Sequence, residues 1–344
     1  EEQRTNLLTY SEQFDNGAWT KARATITANA ISAPDGTTTA DKLVEDTTAS
    51  NSHYVMEVPS VTSGTVYTSS CFVKAAERDF VQLVNTDYSG IGVAVFDLSD
   101  QTFDKTAQFS GAGIDAIGGG WFRVWATGQA SSTTTTLQIR VVNSKTLSLP
   151  GYTGDGTSGI YLWGAQLEAG SFPTSYIKTE ASQVTRSADN LSITGTNFSD
   201  FYNQSEGTFV VDAGVADTAT RNANLFTVSD GTSNNRTRLY VSVASSVVTS
   251  YVVSAGVAQM GGNTGISSTT SSRSAIALAP DDGAQVSDGG TVFTDASVTM
   301  PVSMTQIDIG ETVGGVQYLN GHIKRLTYYP RRLTNAQLQA LTTE

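Results

Sequence analysis

Residues 160–190 read IYLWGAQLEAGSFPTSYIKTEASQVTRSADN, and their reading decides how the chain is divided. The stretch opens with the two-residue period of a strand. Tyr161, Trp163, Ala165 and Leu167 fall on one face, and Leu162, Gly164, Gln166 and Glu168 on the other. The shared face groups Tyr161 and Trp163 with Ala165 and Leu167 as core. The period ends at Gly170 and Pro173, a polar run follows, and strand-like sequence resumes after Leu191. The stretch is therefore expected to be the closing strand of one domain and, beyond Ile177, a short linker to a second.

Length agrees with a seam near residue 185. A chain of 344 residues exceeds most single cores, because domains usually hold about 100 to 200 residues. Hydrophobic residues make up only 39% and charged residues 15% of the chain. Thr, Ser and Gly fill the difference, which suits short strands and turns better than helices. The net charge of −12 argues against a nucleic-acid partner, which needs clustered Lys and Arg. Cys71 is the only cysteine, which rules out an intrachain disulfide and a thiolate zinc site. It reads as a small buried residue of a strand. No apolar run approaches the roughly 20 residues of a membrane-spanning helix, so membrane insertion is not expected. The opening EEQRTNLL enters strand-like sequence at once, which fits a longer protein whose anchoring part is missing.

On the N-terminal side of the seam, short strands follow one another between turns: ATITANAI at residues 24–31, then TADKLVED, HYVMEV, VYTSSCFVKA, DFVQLVN, GVAVFDLS, WFRVWATGQAS, TLQIRVVN and IYLWGAQLE. On the C-terminal side come TFVVDAGV, NLFTVSD, TRLYVSVAS, VVTSYVVSA, SAIALAP, TVFTD, MTQIDIG and HIKRLTYYP. This spacing is that of β-sandwiches. Asp-Gly-Thr recurs at Asp35, Asp155 and Asp230 with unequal spacing, which marks repeated turns and excludes a solenoid period. Near the end, Thr334 and Gln337 form a capping box, with Leu333 and Leu338 placed for a hydrophobic staple. The expected architecture is all-β: two β-sandwich (jelly-roll) domains in tandem, residues 1–185 and 186–344, and one short C-terminal helix.

Three phrases, NLLTYSEQFDNGAWTK at residues 6–21, APDGTTTADKL at 33–43 and YLWGAQLEAGSFPTSYI at 161–177, recur in that order in one known group of proteins. Through them the N-terminal block resembles the carbohydrate-binding-module-like jelly rolls of bacteriophage structural proteins. The C-terminal block, through YLNGHIKRLTYYPRRLTNAQLQALT at 318–342 and the preceding TQIDIGE, resembles concanavalin A-like, laminin-G-like sandwiches. Together the resemblances imply a tail or head fibre on the virion surface that binds host surface polysaccharide without catalysis. They also imply contacts with other virion proteins and a homo-oligomer, with a trimer expected of a fibre. A decoration protein that binds no sugar and a polysaccharide depolymerase are the alternative readings.

The candidate glycan contacts are aromatic. In the run from Trp121 to Trp125, alternation places Trp121, Arg123 and Trp125 on one face and Phe122 and Val124 on the other, and leaves open which face is core. If the Phe122 face is buried, an arginine stands between two indoles, an arrangement suited to a sugar ring. If the tryptophans pack inside or under a loop, it is structural. Trp19, Tyr54, Tyr88 and Tyr152 lie near loops or strand ends and extend the list. The strand from Gln306 to Glu311 is similar to the catalytic strand of laminarinase-type glycosidases. An amide, Gln306, stands where those enzymes carry the nucleophilic Glu, and an amide cannot form a glycosyl intermediate. Both resembled groups often hold calcium, and the acidic turns at Asp281 with Asp282 and at Asp230 are the candidate ligands. Asp also favours turns for its own sake. Arg331 and Arg332 form the densest basic spot, explained either by an acidic ligand or by pairing with carboxylates. Strict alternation in HIKRLTYY groups Ile323, Arg325 and Thr327 against Lys324, Leu326 and Tyr328.

Overall fold

The computed structural model describes residues 1–149, 151–215, 222–267, 272–315 and 317–343. The chain divides into two compact units: residues 3–187, and the residues from Ala188 onward joined by Glu1 and Glu2.

In the first unit two six-stranded sheets form a sandwich whose described pairings are all antiparallel. One runs Phe109–Gly118, Trp121–Gln129, Val66–Ala75, Gly159–Ala169, Ala40–Glu45, Ala24–Ile31. The other runs Thr20–Ala22, His53–Glu57, Leu137–Val142, Phe80–Asn85, Gly92–Asp97, Thr102–Lys105. Leu43, Val73, Leu83, Phe96, Leu137 and Leu162 fill the space between them.

The closing strand Gly159–Ala169 does not keep one period. Its pairing with Val66–Ala75 slips between Trp163 and Gln166, and Gly164 takes a left-handed φ of 61°. This β-bulge reverses the faces. Ile160 and Leu162 before it, and Ala165 and Leu167 after it, all enter the main core. Tyr161 and Trp163 therefore do not share a face with Ala165 and Leu167. They lie on the sheet's other face, in a second cluster with Phe72 and Trp121.

The next residues fold back over that cluster, held by the strand's own polar side chains. Gln166 Oε1 accepts from Ile177 N at 2.7 Å, and Glu168 accepts from Thr174 N at 2.8 Å and Thr174 Oγ1 at 2.6 Å. Tyr176 is thereby set 4.7 Å from the Trp163 ring, centroid to centroid. Beyond Ile177 the connector is not a bare linker, because Val184–Arg186 pairs with Arg4–Asn6.

The second unit is also a sandwich. Its six-stranded sheet runs Ser192–Thr194, Gln306–Ile309, Ala223–Ser229, Arg236–Val241, Val247–Ser254, Val257–Ser267. Its five-stranded sheet runs Phe293–Asp295, Asp282–Ser287, Ser272–Ala279, Gly207–Val215, Gly321–Tyr329. Phe209, Val211, Phe226, Leu239, Val252 and Ile276 form its core. The C-terminal helix is Asn335–Thr342, with the expected capping box between Thr334 and Gln337. Leu333 and Leu338 bury against Val210, Ala275 and Ala284 on the five-stranded sheet. A four-residue helix, Thr196–Ser199, was not foreseen; buried Phe198 anchors it.

A second bulge corrects the reading of HIKRLTYY. Asp212 pairs with Arg325 but Ala213 with Ile323, which leaves Lys324 as the extra residue. Ile323, Leu326 and Tyr328 consequently pack on the core, while Arg325, Thr327 and Tyr329 line the opposite face. Strands Phe109–Gly118 and Val257–Ser267 were hidden in the sequence by glycines, which lower strand propensity. Among the described residues no helix is long and apolar enough to cross a membrane.

Candidate functional site

The strand Trp121–Gln129 buries its Phe122 and Val124 face in the main core. Trp121, Arg123 and Trp125 accordingly point the other way, yet they do not form an open platform. Trp121 is 4% exposed, and its Nε1 donates to Ser32 O at 3.2 Å under the residue 31–40 segment. Arg123 lies 5.3 Å from the Phe72 ring and donates to Thr174 O and Ser70 Oγ. Trp125 is half-buried and donates to Asp115 Oδ2 at 3.0 Å. Its ring rests on Gly113, where a Cβ would come within 2.5 Å of it.

Two of the other aromatics are corrected outright. Trp19 and Tyr88 are each 1% exposed, Trp19 against Phe14 and Tyr88 against Phe109. A buried ring has no face to offer a sugar, and the same applies to Trp121. Tyr54 and Tyr152 are half-buried and already engaged. Tyr54 carries the Arg140 guanidinium at 4.9 Å, while the Tyr152 hydroxyl donates to Glu45 Oε2 beside the Glu45–Arg78 ion pair. Tyr54 and Trp125 belong to different sheets, so the seven residues make no single site.

The calcium candidates fold their own turns. Asp230 Oδ1 accepts from Thr232 N at 2.8 Å and Thr232 Oγ1 at 2.6 Å, and Oδ2 accepts from Asn235 Nδ2. Asp35 with Thr37 and Asp155 with Thr157 repeat the device, which explains the recurring Asp-Gly-Thr. Asp281 is a left-handed turn residue, and Asp282 pairs with Arg332 at 2.8 Å. That pair also accounts for part of the basic spot. Calcium takes six to eight oxygens, and among the described residues no three of His, Cys, Asp and Glu converge on a metal position. The fit to calcium is poor.

A site emerges instead on the second unit, around the strand Gln306–Ile309. Ile307 enters the core, so alternation turns Gln306 and Asp308 outward, opposite Thr194 and Ser192 of the edge strand. The segment after the strand folds back over this face. Asn224 Nδ2 and Thr227 Oγ1 both donate to Glu311 O, and Glu311 bridges to Tyr318. Between the edge strand and this loop lies a polar concavity of about 430 Å³. Asp189, Asn190, Gln306, Asp308, Glu311 and Tyr318 are among its lining residues, with hydroxyls from Ser192, Thr194 and Thr312.

Two carboxylates dominate its electrostatics. Asp308 is 6% exposed and accepts from Gln306 Nε2 through both oxygens, at 3.0 and 2.9 Å. Burial holds its pKa above the usual carboxylate range despite the amide. Glu311 is 5% exposed; burial raises its pKa, and the charge of Asp308 raises it further. Gly315, at a φ of 64°, leaves room where a Cβ would meet Tyr318 Oη at 2.9 Å and Glu311 Oε2 at 3.3 Å. At the Asp189 edge, the α-ammonium of Glu1 sits on Oδ2 at 2.7 Å. Sequence reading had named Gln306, Asp308 and Glu311 only as an unsuitable catalytic strand. It missed Tyr318, Thr312 and the edge strand, because only the return of the loop brings them together.

No protein-family profile matches the chain, and no characterised protein matches it in sequence. Among solved structures, the CBM40 module of Ruminococcus gnavus IT-sialidase bound to α2,3-sialyllactose is 18% identical, with 45% of this chain and 96% of that chain covered and a TM-score of 0.38. Domains LG4–5 of the mouse laminin α1 chain are 10% identical over 82% of this chain and 88% of that one, with a TM-score of 0.29. Trypanosoma rangeli sialidase in complex with the inhibitor DANA is 10% identical over 88% and 60%, with a TM-score of 0.34. Likeness at this level carries no assignment. The all-β sandwich architecture rests on the strand pairing described above.

Proposed function

We propose that this chain is a non-catalytic glycan-binding protein of a bacteriophage surface, a fibre or spike that holds host-cell polysaccharide. The observation that carries the reading is the concavity on the second unit. It is open, polar, large enough for a sugar residue, and lined by the hydroxyl, amide and carboxylate groups that pair with sugar hydroxyls, with the Tyr318 ring beside them. The phage setting draws on the phrases of residues 6–21, 33–43 and 161–177. The non-catalytic character draws on Gln306, an amide where a nucleophilic carboxylate would be needed. Single sites of this kind bind modestly, and several copies on one particle supply avidity.

A glycan array probed with the full chain tests the reading. Binding should appear and fall at least about tenfold, the equivalent of ~1.4 kcal/mol, in Tyr318→Ala and in Gln306→Ala. A chain that binds no surface glycan of any host is a decoration protein instead. New reducing ends after incubation with purified capsule would make it a depolymerase, with Asp308 and Glu311 as its carboxylates.

A further inference from the structure

The concavity also carries a charge preference, an inference that rests on the glycan-binding reading and sharpens it. Three carboxylates line it, those of Asp189, Asp308 and Glu311, and no Lys or Arg side chain is among its described lining residues. The nearest arginines on the same sheet face, Arg236 and Arg238, stand two strands away from Gln306 and Asp308 in register. Arg238 is committed to the Tyr240 and Tyr251 rings and to Gln317.

Acidic residues alone do not make a site; here unmatched polar groups accompany them. Thr312 is 5% exposed, and its Oγ1 has no hydrogen-bond partner. Glu311 as a residue is equally buried, and among the described residues its carboxylate, which lines the concavity, accepts no hydrogen bond, while its backbone oxygen takes two. Buried polar groups are ordinarily paired, and a carboxylate above all. Asp308 has only a neutral amide. A neutral sugar would supply hydroxyl donors but no positive charge to the two neighbouring carboxylates, and an acidic sugar would add a third negative charge.

We propose that the concavity is selective for glycans that carry a free ammonium, such as de-N-acetylated hexosamines, held by Asp308 and Glu311. The sugar's hydroxyls would meet Gln306, Ser192, Thr194 and Tyr318. A donor of positive charge satisfies Glu311, separates it from Asp308 and forms charge-assisted hydrogen bonds, which are stronger than neutral ones.

The test is calorimetric titration of the full chain with glucosamine oligomers, their fully N-acetylated counterparts and sialyllactose, at about pH 6, where a sugar amine is protonated. The amino oligomer should bind at least about tenfold more tightly than the acetylated one, and sialyllactose weakest. Glu311→Gln and Asp308→Asn, each close in shape and checked for folding by circular dichroism, should abolish the preference. Equal or tighter binding of the acetylated or sialylated ligand, lost in Tyr318→Ala, overturns the charge preference and leaves glycan binding standing. So does binding that requires calcium and ignores the amine. If none of these ligands binds, or if binding survives both Tyr318→Ala and Gln306→Ala, the ammonium preference of the concavity falls, and the glycan array alone decides whether the chain binds glycans.

Discussion

Asp41 shows what one buried carboxylate does to the first sandwich. It is 1% exposed, and its oxygens accept from Phe14 N and Asn29 N, each at 2.9 Å, so it ties the turn at Phe14 and the irregular stretch of strand Ala24–Ile31 to its own strand. Burial pushes its pKa up to about 6, against the opposing pull of those two N–H groups. Its unfolded value lies near 3.9. Between the two values the folded chain holds a proton that the unfolded chain has released. The Asp41 contribution to stability is therefore fullest below about pH 4, falls as pH rises toward 6 and is flat above, a span of about 3 kcal/mol. Urea unfolding across this range should show that slope in the wild-type chain, and Asp41→Asn should remove it. Carboxylates held low have the opposite sign. At Glu45, burial pushes the pKa up, but Arg78, the Tyr152 hydroxyl and Asp155 N outweigh it, so its contribution is lost as pH falls.

At the scale of elements, glycine decides where side chains go. Gly164 sits at a φ of 61°, and a Cβ there would meet the Phe72 ring at 3.0 Å. Its bulge sends Ala165 and Leu167 to the main core and leaves Trp163 on the outer cluster. Gly164→Ala should cost ~1–3 kcal/mol in urea unfolding, from left-handed strain and crowding together. No loss would mean that the bulge tolerates a side chain. Gly111 and Gly113 act differently, as a seat for the Trp125 ring. The strand that carries them is illegible by propensity and recognisable only by its partner. The strands ATITANAI and HYVME, by contrast, begin and end close to where alternation places them. The capping box of the last helix was equally legible, because Thr334 and Gln337 are three residues apart and interact whatever the rest of the chain does.

Over the whole molecule, two cores with no shared residues should unfold as two calorimetric transitions. Asn6 offers a way to assign them. Its Nδ2 donates to Ala165 O and Ile177 O, and its Oδ1 accepts from Leu8 N and Leu167 N, all within the first unit. Asn6→Ala should destabilise one transition by ~2–4 kcal/mol and leave the other in place. A single transition that shifts as a whole would show that the units unfold together. The sequence by itself determined the all-β class, the Asp-Gly-Thr turns and the capped helix, because each depends on neighbours a few residues apart. Only the tertiary structure decided that Trp19, Tyr88 and Trp121 are buried, that two bulges reverse the faces of their strands, and that Ser192, Gln306, Glu311 and Tyr318 enclose one concavity. Burial and convergence depend on which distant segments cover a face, and local periodicity does not record them.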